Sequence, residues 1–205
     1  MKHLSKLLRS GAALAALVFG SVTFAAVESG QPAPDFTLTD INGKDWSLAD
    51  LKGKTVVLEW VNPECPFVVK HYEKSGNIPG LQKTASADGI VWLSINSAAP
   101  GKQGDYDKAQ VEAWSSKTGA APAAYLRDTE GKVGRLYDAK TTPHIYVINS
   151  EGVLVYQGGI DSIRSANPGD ITKAEAYVVE ALAAVKNGEA PARNNTAPYG
   201  CSVKY

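Results

Sequence analysis

The sequence predicts an α/β domain, a central mixed sheet flanked by helices, with an N-terminal hairpin extension and a C-terminal tail. Three observations predict it. The runs TVVLEWV (55–61) and GIVWLSIN (89–96) are β-branched and almost wholly apolar, the pattern of strands buried on both faces of a parallel sheet. A helical stretch opening at Cys65-Pro66 lies between them. Downstream, HIYVIN and VLVYQGG flank the turn Ser150-Glu151-Gly152 and read as an antiparallel hairpin.

In chain order, Lys2, Lys6 and Arg9 precede an apolar run, Leu14 to Phe24, that is too short to span a bilayer and is followed by small residues. Residues 1–25 therefore read as a secretory signal peptide cleaved after Ala25, with no following cysteine to carry a lipid. A polar linker leads into a short alternating strand, an Asn42-Gly43 turn and a brief helix from about Ser47. Strand 55–61 follows, then the helix from Cys65 to about Gly76. A second helix starts at Asn77 with Pro79 in its first turn, and strand 89–96 comes next. The segment 97–106, SAAPGKQGDY, is a loop at that strand's C-terminal end, and a helix covers about Lys108 to Lys117. A strand AAYLRD, a helix KVGRLYDA and the hairpin come next. Residues 171–187 carry Ala174, Tyr177, Val178, Ala181, Leu182 and Val185 at helical spacing, closing at Gly188. Residues 188–205 have no periodicity, the composition of a disordered tail, but carry Cys201. The domain is expected to span 26–187.

The chain has 205 residues, 44% apolar and 20% charged, enough for one compact core. Removing residues 1–25 takes three of 21 basic residues and no acidic ones, leaving 18 against 21. That mild acidity, with no basic block, gives nucleic-acid binding no support. No cofactor or resident metal is expected. The product is read as periplasmic or secreted, without membrane insertion once the leader is removed. Both cysteines lie in the mature part, where disulfides persist, so one intramolecular bridge is allowed. It is either a staple pinning the tail or a redox pair.

Pro66 suits a first helical position, which puts Cys65 at a helix N-terminus, where aligned peptide dipoles stabilise a thiolate. Glu59 interrupts an otherwise apolar central strand and is a candidate general base raised by burial; the alternative is a carboxylate facing out or neutralised by a lysine. His71, about 120° around the helix from Cys65, is read as a surface or packing histidine. Trp60, Trp92 and Tyr137 are read as core.

The stretch VVLEWVNPECP resembles the strand-to-nucleophile turn of the thioredoxin superfamily, and TTPHIYVINSEGVLVYQGG resembles its cis-proline and following hairpin. The two signals stand about 80 residues apart in the required order, and the resemblance covers about 34–185. The nearest branch is the exported redoxins related to the alkyl hydroperoxide reductase and thiol-specific antioxidant family. The resemblance implies a thioredoxin-like fold with Cys65 as attacking thiol, Glu59 as the buried acid and a cis Thr142-Pro143 bond, Thr142 offering backbone groups to a partner chain. The chain departs from the pattern in three places. Val68 stands where a thioredoxin has its resolving cysteine, Asn62 where a peroxiredoxin has threonine, and Pro143 about where that family has its arginine. Asn62 could still donate a hydrogen bond, and Arg127 or Arg135 could supply charge. The ending GCSVKY resembles the tail of exported redoxins with a single-cysteine turn, which implies Cys201 as resolving thiol, with Gly200 giving the backbone freedom to approach.

The expected function is thus an exported thiol oxidoreductase acting on a protein disulfide or a peroxide and reset by an external thiol reductant. Two other classes stay open. Cys65, Cys201 and His144, the last also placed to tune the thiolate, could form a soft copper site. Alternatively, the fold could be a silent binding module contacting partners through loop 97–106.

Overall fold

The computed structural model describes residues 27–205, so the leader expected over 1–25 lies outside the described residues. In chain order the strands are β1 (Thr37–Thr39), β2 (Asp45–Ser47), β3 (Val56–Trp60), β4 (Val91–Asn96), β5 (Ala124–Arg127), β6 (Thr141–Thr142), β7 (His144–Ile148), β8 (Leu154–Gly158) and β9 (Cys201–Ser202). The helices are α1 (Pro66–Tyr72), α2 (Asn77–Ala87), α3 (Lys108–Thr118), α4 (Lys132–Leu136) and α5 (Tyr177–Lys186). The central sheet runs β5-β4-β3-β7-β8, with β3, β4 and β5 parallel and β7 and β8 antiparallel to their neighbours. This is the expected mixed α/β architecture.

Side-chain alternation sorts the sheet into two cores. Val57, Trp92, Ile145, Val147 and Tyr156 face one side, with Val68 and Tyr72 of α1 and Val178 of α5 packed on them. Val56, Leu58, Trp60, Tyr146 and Ile148 face the other, against Tyr137 and Val133. The same alternation puts Glu59 on the first side and His144 on the second. Trp60 is fully buried, packs against Tyr137 and Tyr146 with ring centroids 5.6 and 5.1 Å away, and donates its indole N–H to Ser97 Oγ at 3.0 Å.

β1 and β2 form the N-terminal hairpin, whose turn is held by the Asp40 carboxylate accepting from the N–H groups of Asn42 and Lys44 at 2.8 and 3.0 Å. The helix expected after Ser47 is a single 3₁₀ turn, Ala49–Leu51. α3 starts on a capping box in which Asp107 accepts from Gln110 N–H at 2.9 Å and the Gln110 side chain accepts from Asp107 N–H at 2.9 Å.

One expectation near the C-terminus is corrected. The segment 171–187 is not one helix: a 3₁₀ stretch, Pro168–Lys173, ends at an extended Ala174, and α5 begins only at Tyr177. The cause is a tie to another loop, because Glu175 N–H donates to Ser162 Oγ at 2.9 Å and Glu175 C=O accepts from Ser162 N–H at 3.1 Å, which takes this backbone out of the helical ladder. The tail, whose composition alone is that of a disordered segment, is held by bonds to the body. Asn194 and Thr196 bond the backbone of Gln157, β9 pairs with β6, and Ala99 N–H donates to Lys204 C=O at 2.8 Å. No helix among the described residues is long and apolar enough to cross a membrane.

Trp60→Ala should lower unfolding free energy by about 3–5 kcal/mol, since it leaves a large cavity between two tyrosines. Urea unfolding checks this, and a loss under 1 kcal/mol would mean that the second core collapses around the gap.

Candidate active site

The turn after β3 is built by backbone and amide bonds. Val61 N–H donates to Ile95 C=O at 2.9 Å, which prolongs the pairing with β4 past Trp60. Asn62 then folds the chain: its Oδ1 accepts from Glu64 N–H at 3.0 Å, its C=O from Cys65 N–H at 3.0 Å, and its Nδ2 donates to Gln103 C=O at 3.1 Å. Gly104, at φ 82°, lets loop 97–106 rest on this turn, because a Cβ there would overlap the Asn62 carboxamide. Asn62 is thus a buried brace of the turn, and both ends of its amide are occupied.

Cys65 is the N-cap of α1, with Pro66 at the first helical position and Val69 N–H bonded to the Cys65 C=O at 2.8 Å. The side chain is fully buried. Its Sγ donates to Thr142 C=O at 3.0 Å and accepts from Cys201 N–H at 3.4 Å. The Thr142-Pro143 bond is cis. Thr142 pairs with Cys201 in the antiparallel β6/β9 ladder, and Thr142 Oγ1 donates to Cys201 C=O at 3.4 Å. The backbone edge expected to receive a partner chain is therefore taken by this chain's own tail. Gly200, at φ 142°, allows that approach, since any Cβ would overlap the Thr142 carbonyl.

Both cysteines are free thiols, Cys65 buried and Cys201 partly exposed. Burial, the hydrogen bond to Cys65 and the charge on Cys65 together push the Cys201 thiol up to about 12.

Glu59 is fully buried on the Cys65 side of the sheet, and among the described residues its partners are all neutral donors. Trp92 Nε1 reaches it at 2.7 Å, Tyr72 OH at 2.8 Å, Ser94 Oγ at 3.2 Å and Gln82 Nε2 at 3.4 Å. Neither cysteine is among them, and no lysine among the described residues neutralises it.

Other candidates are engaged elsewhere. His144 stacks on Tyr146 at 4.5 Å on the opposite sheet face, where burial pulls it down to about 3, so it adds no charge beside the thiols. Arg127 pairs with Asp105 at 2.6 Å, and Arg135 lies 4.5 Å over the Tyr205 ring. Among the described residues no cluster of three His, Cys, Asp or Glu is placed to hold a metal.

One group escaped the sequence. Lys70 and His71 of α1 are fully buried, and with Asp161 they surround the hydroxyl of Tyr199, two residues before Cys201. Adjacent polar residues on an otherwise apolar short helix were the only available signal.

A profile of the AhpC/TSA family matches residues 29–157. The thiol-disulfide oxidoreductase ResA of Bacillus subtilis (strain 168) is 31% identical over 130 residues, covering 63% of this chain and 66% of that protein, so the chain spans just under two thirds of that relative. Chloroplastic peroxiredoxin Q of Arabidopsis thaliana is 34% identical over 141 residues, 64% of this chain and 59% of that protein. The crystal structure of an uncharacterized conserved protein from Geobacillus kaustophilus superposes with a TM-score of 0.75 at 27% identity, covering 87% of this chain and 92% of that one.

Burial raises the Glu59 carboxyl from 4.5 to about 7 despite its four donors. Between those values the folded chain holds a proton that the unfolded chain has released, so this group makes stability fall as pH rises through that window. His71 and His144, lowered by burial to about 4 and about 3, act oppositely: their contribution is lost as pH falls from about 6.5. Glu59→Gln should remove the first effect, so wild type should lose about 3 kcal/mol relative to the variant between pH 4.5 and 7. Urea unfolding across that range tests it, and a pH-independent difference would show that burial leaves the Glu59 carboxyl unshifted.

Proposed function

The chain belongs to the AhpC/TSA family, and on that premise we propose that it is an exported thiol-disulfide oxidoreductase with Cys65 as nucleophile and Cys201 as resolving thiol. Thiol oxidoreduction as a class is common to its matched relatives; the assignment of roles is the proposal. It takes residues 1–25 as a leader, 26–187 as the redoxin domain and 188–205 as the tail that delivers Cys201. The observation that carries the reading is the Cys201 N–H on Cys65 Sγ at 3.4 Å, within a ladder that pairs Cys201 with Thr142.

The tail first lifts, because Cys65 has no exposure while Cys201 covers it. The Cys65 thiolate attacks one sulfur of a partner disulfide, the partner's S–S bond breaks, and one partner thiolate leaves, taking up a proton. A mixed disulfide to Cys65 remains. Cys201 then attacks the Cys65 sulfur and releases the second partner thiol. Two electrons have passed to the partner, and a Cys65-Cys201 disulfide awaits an external thiol reductant. Burial is the largest cause that holds Cys201 protonated in the docked tail, with its hydrogen bond to Cys65 adding to it, so a lifted tail exposes a thiol that ionises more readily. Thr142 and Pro143 shape the edge that partner or tail occupies, Asn62 braces the turn, and Glu59 is the buried acid beneath it.

A protein disulfide is favoured over a peroxide because Asn62, Arg127 and Arg135 are each engaged by other partners and none of them bonds Cys65 Sγ, whose partners are backbone groups of Thr142 and Cys201. The copper reading loses its third ligand to the opposite sheet face.

Cys65→Ser should lower reduction of a protein disulfide at least a hundredfold, whereas Cys201→Ser should accumulate a mixed disulfide on Cys65, both read by thiol alkylation and mass mapping. Equal absence of disulfide reduction in wild type and Cys65→Ser would leave a silent binding module. Stopped-flow oxidation of reduced protein by hydrogen peroxide should run no faster than for free cysteine, and a much faster rate would make a peroxide the substrate.

A further inference from the structure

The tail is tied to the site by more than its two-residue ladder. Tyr199 is buried, and its ring packs edge-on against Phe67 of α1 with centroids 5.7 Å apart. Its hydroxyl donates to Asp161 Oδ1 at 2.5 Å and receives Lys70 Nζ at 3.4 Å. His71 Nε2 lies 3.2 Å away, and because the Asn77 amide donates to His71 Nδ1 at 3.0 Å, the Nε2 carries the proton and donates to the phenol. Lys70 Nζ also reaches Asp161 Oδ2 at 3.5 Å. Asp161 takes a further bond from Ile163 N–H at 3.0 Å. Each of the four side chains thus finds a polar partner within the cluster.

A buried lysine-carboxylate pair is a poor source of stability, because desolvation offsets most of its attraction. Its better-attested use is to hold one arrangement against others. Here the arrangement held is specific. Cys65 caps α1, and Lys70 and His71 lie five and six residues along the same helix. The cluster therefore references Tyr199, and through Gly200 the resolving sulfur, to the helix that carries the nucleophile. The other end of the tail is anchored elsewhere, with Tyr205 OH bonded to Ala139 C=O at 2.8 Å.

We propose that Lys70, His71, Asp161 and Tyr199 form a positioning latch that sets the effective concentration of the Cys201 thiol at Cys65, and thereby the redox equilibrium of the pair. This rests on the reading of Cys65 and Cys201 as partners in exchange. None of the four residues touches the reacting atoms. When the tail lifts for a partner disulfide, the phenol leaves Asp161. When it returns, refilling the cluster brings Cys201 onto the Cys65 sulfur, where the new S–S bond forms as the partner thiolate departs.

Tyr199→Phe keeps the ring and its packing on Phe67 but removes the hydroxyl, and Asp161→Asn keeps the shape but removes the charge. Each variant, equilibrated in glutathione buffers, should show an intramolecular disulfide about tenfold less favoured than wild type, a shift of about 30 mV toward easier reduction. Resolution of a preformed mixed disulfide on Cys65 should slow by a similar factor, while the first attack on a partner disulfide should not slow. Equal equilibrium constants and resolution rates in wild type and in folded variants would overturn the latch while leaving the cysteine pair intact. If wild type itself formed no Cys65-Cys201 disulfide at any ratio of oxidised to reduced glutathione, the reading beneath it would fall, and the latch with it.

Discussion

The contact on which everything else depends is the short antiparallel ladder between Thr141-Thr142 and Cys201-Ser202. It brings together backbone from positions some sixty residues apart, beside the helix start that bears Cys65. The Thr142 carbonyl serves two neighbours there: it accepts the Cys65 Sγ–H, and it leaves room for the tail only because Gly200 has no side chain. One peptide edge thus orients the Cys65 thiol and receives the tail that carries Cys201. The arrangement is a strand addition in which the added strand belongs to the same polypeptide. A partner must compete with it.

Around this contact the sheet divides labour by side-chain alternation. Odd positions of β3 put Val57 and Glu59 under α1, and even positions put Val56, Leu58 and Trp60 into an apolar, aromatic second core. The site therefore lies between two buried polar clusters of different character. Beneath it, Glu59 sits among neutral donors that do not compensate its charge fully, so burial keeps it close to protonation at neutral pH. Beside it, Lys70 and Asp161 meet around Tyr199 with their charges paired. The first is a single carboxyl held within the sheet by neutral donors, and the second joins α1 and the loop at Asp161 to the tail through one hydroxyl.

Much of the fold was legible in the residues. The two β-branched runs could only be central strands, since they have no polar face to show to water. Pro66 marked the helix start because its missing N–H costs nothing there. The hairpin announced itself through Ser150-Glu151-Gly152. The helix drawn over 171–187 was overextended because its spacing is helical throughout, and nothing in that spacing shows that Glu175 gives its backbone bonds to Ser162. The tail was harder still. Its composition is that of a mobile segment, and its order comes from contacts with β6, β8 and loop 97–106 that no local pattern encodes.

The sequence by itself determined the chemistry available: one cysteine at a helix start, one in the tail and a carboxylate in an apolar strand. These are properties of single residues and their near neighbours, which spacing and propensity report directly. Tertiary structure alone decided which groups meet. It sent His144 to the far face, engaged Asn62, Arg127 and Arg135 away from the sulfur, and gathered Lys70, His71, Asp161 and Tyr199 around one hydroxyl. The physical reason is that a buried polar group takes its meaning from its partners, and those partners stand up to about 130 residues apart along the chain.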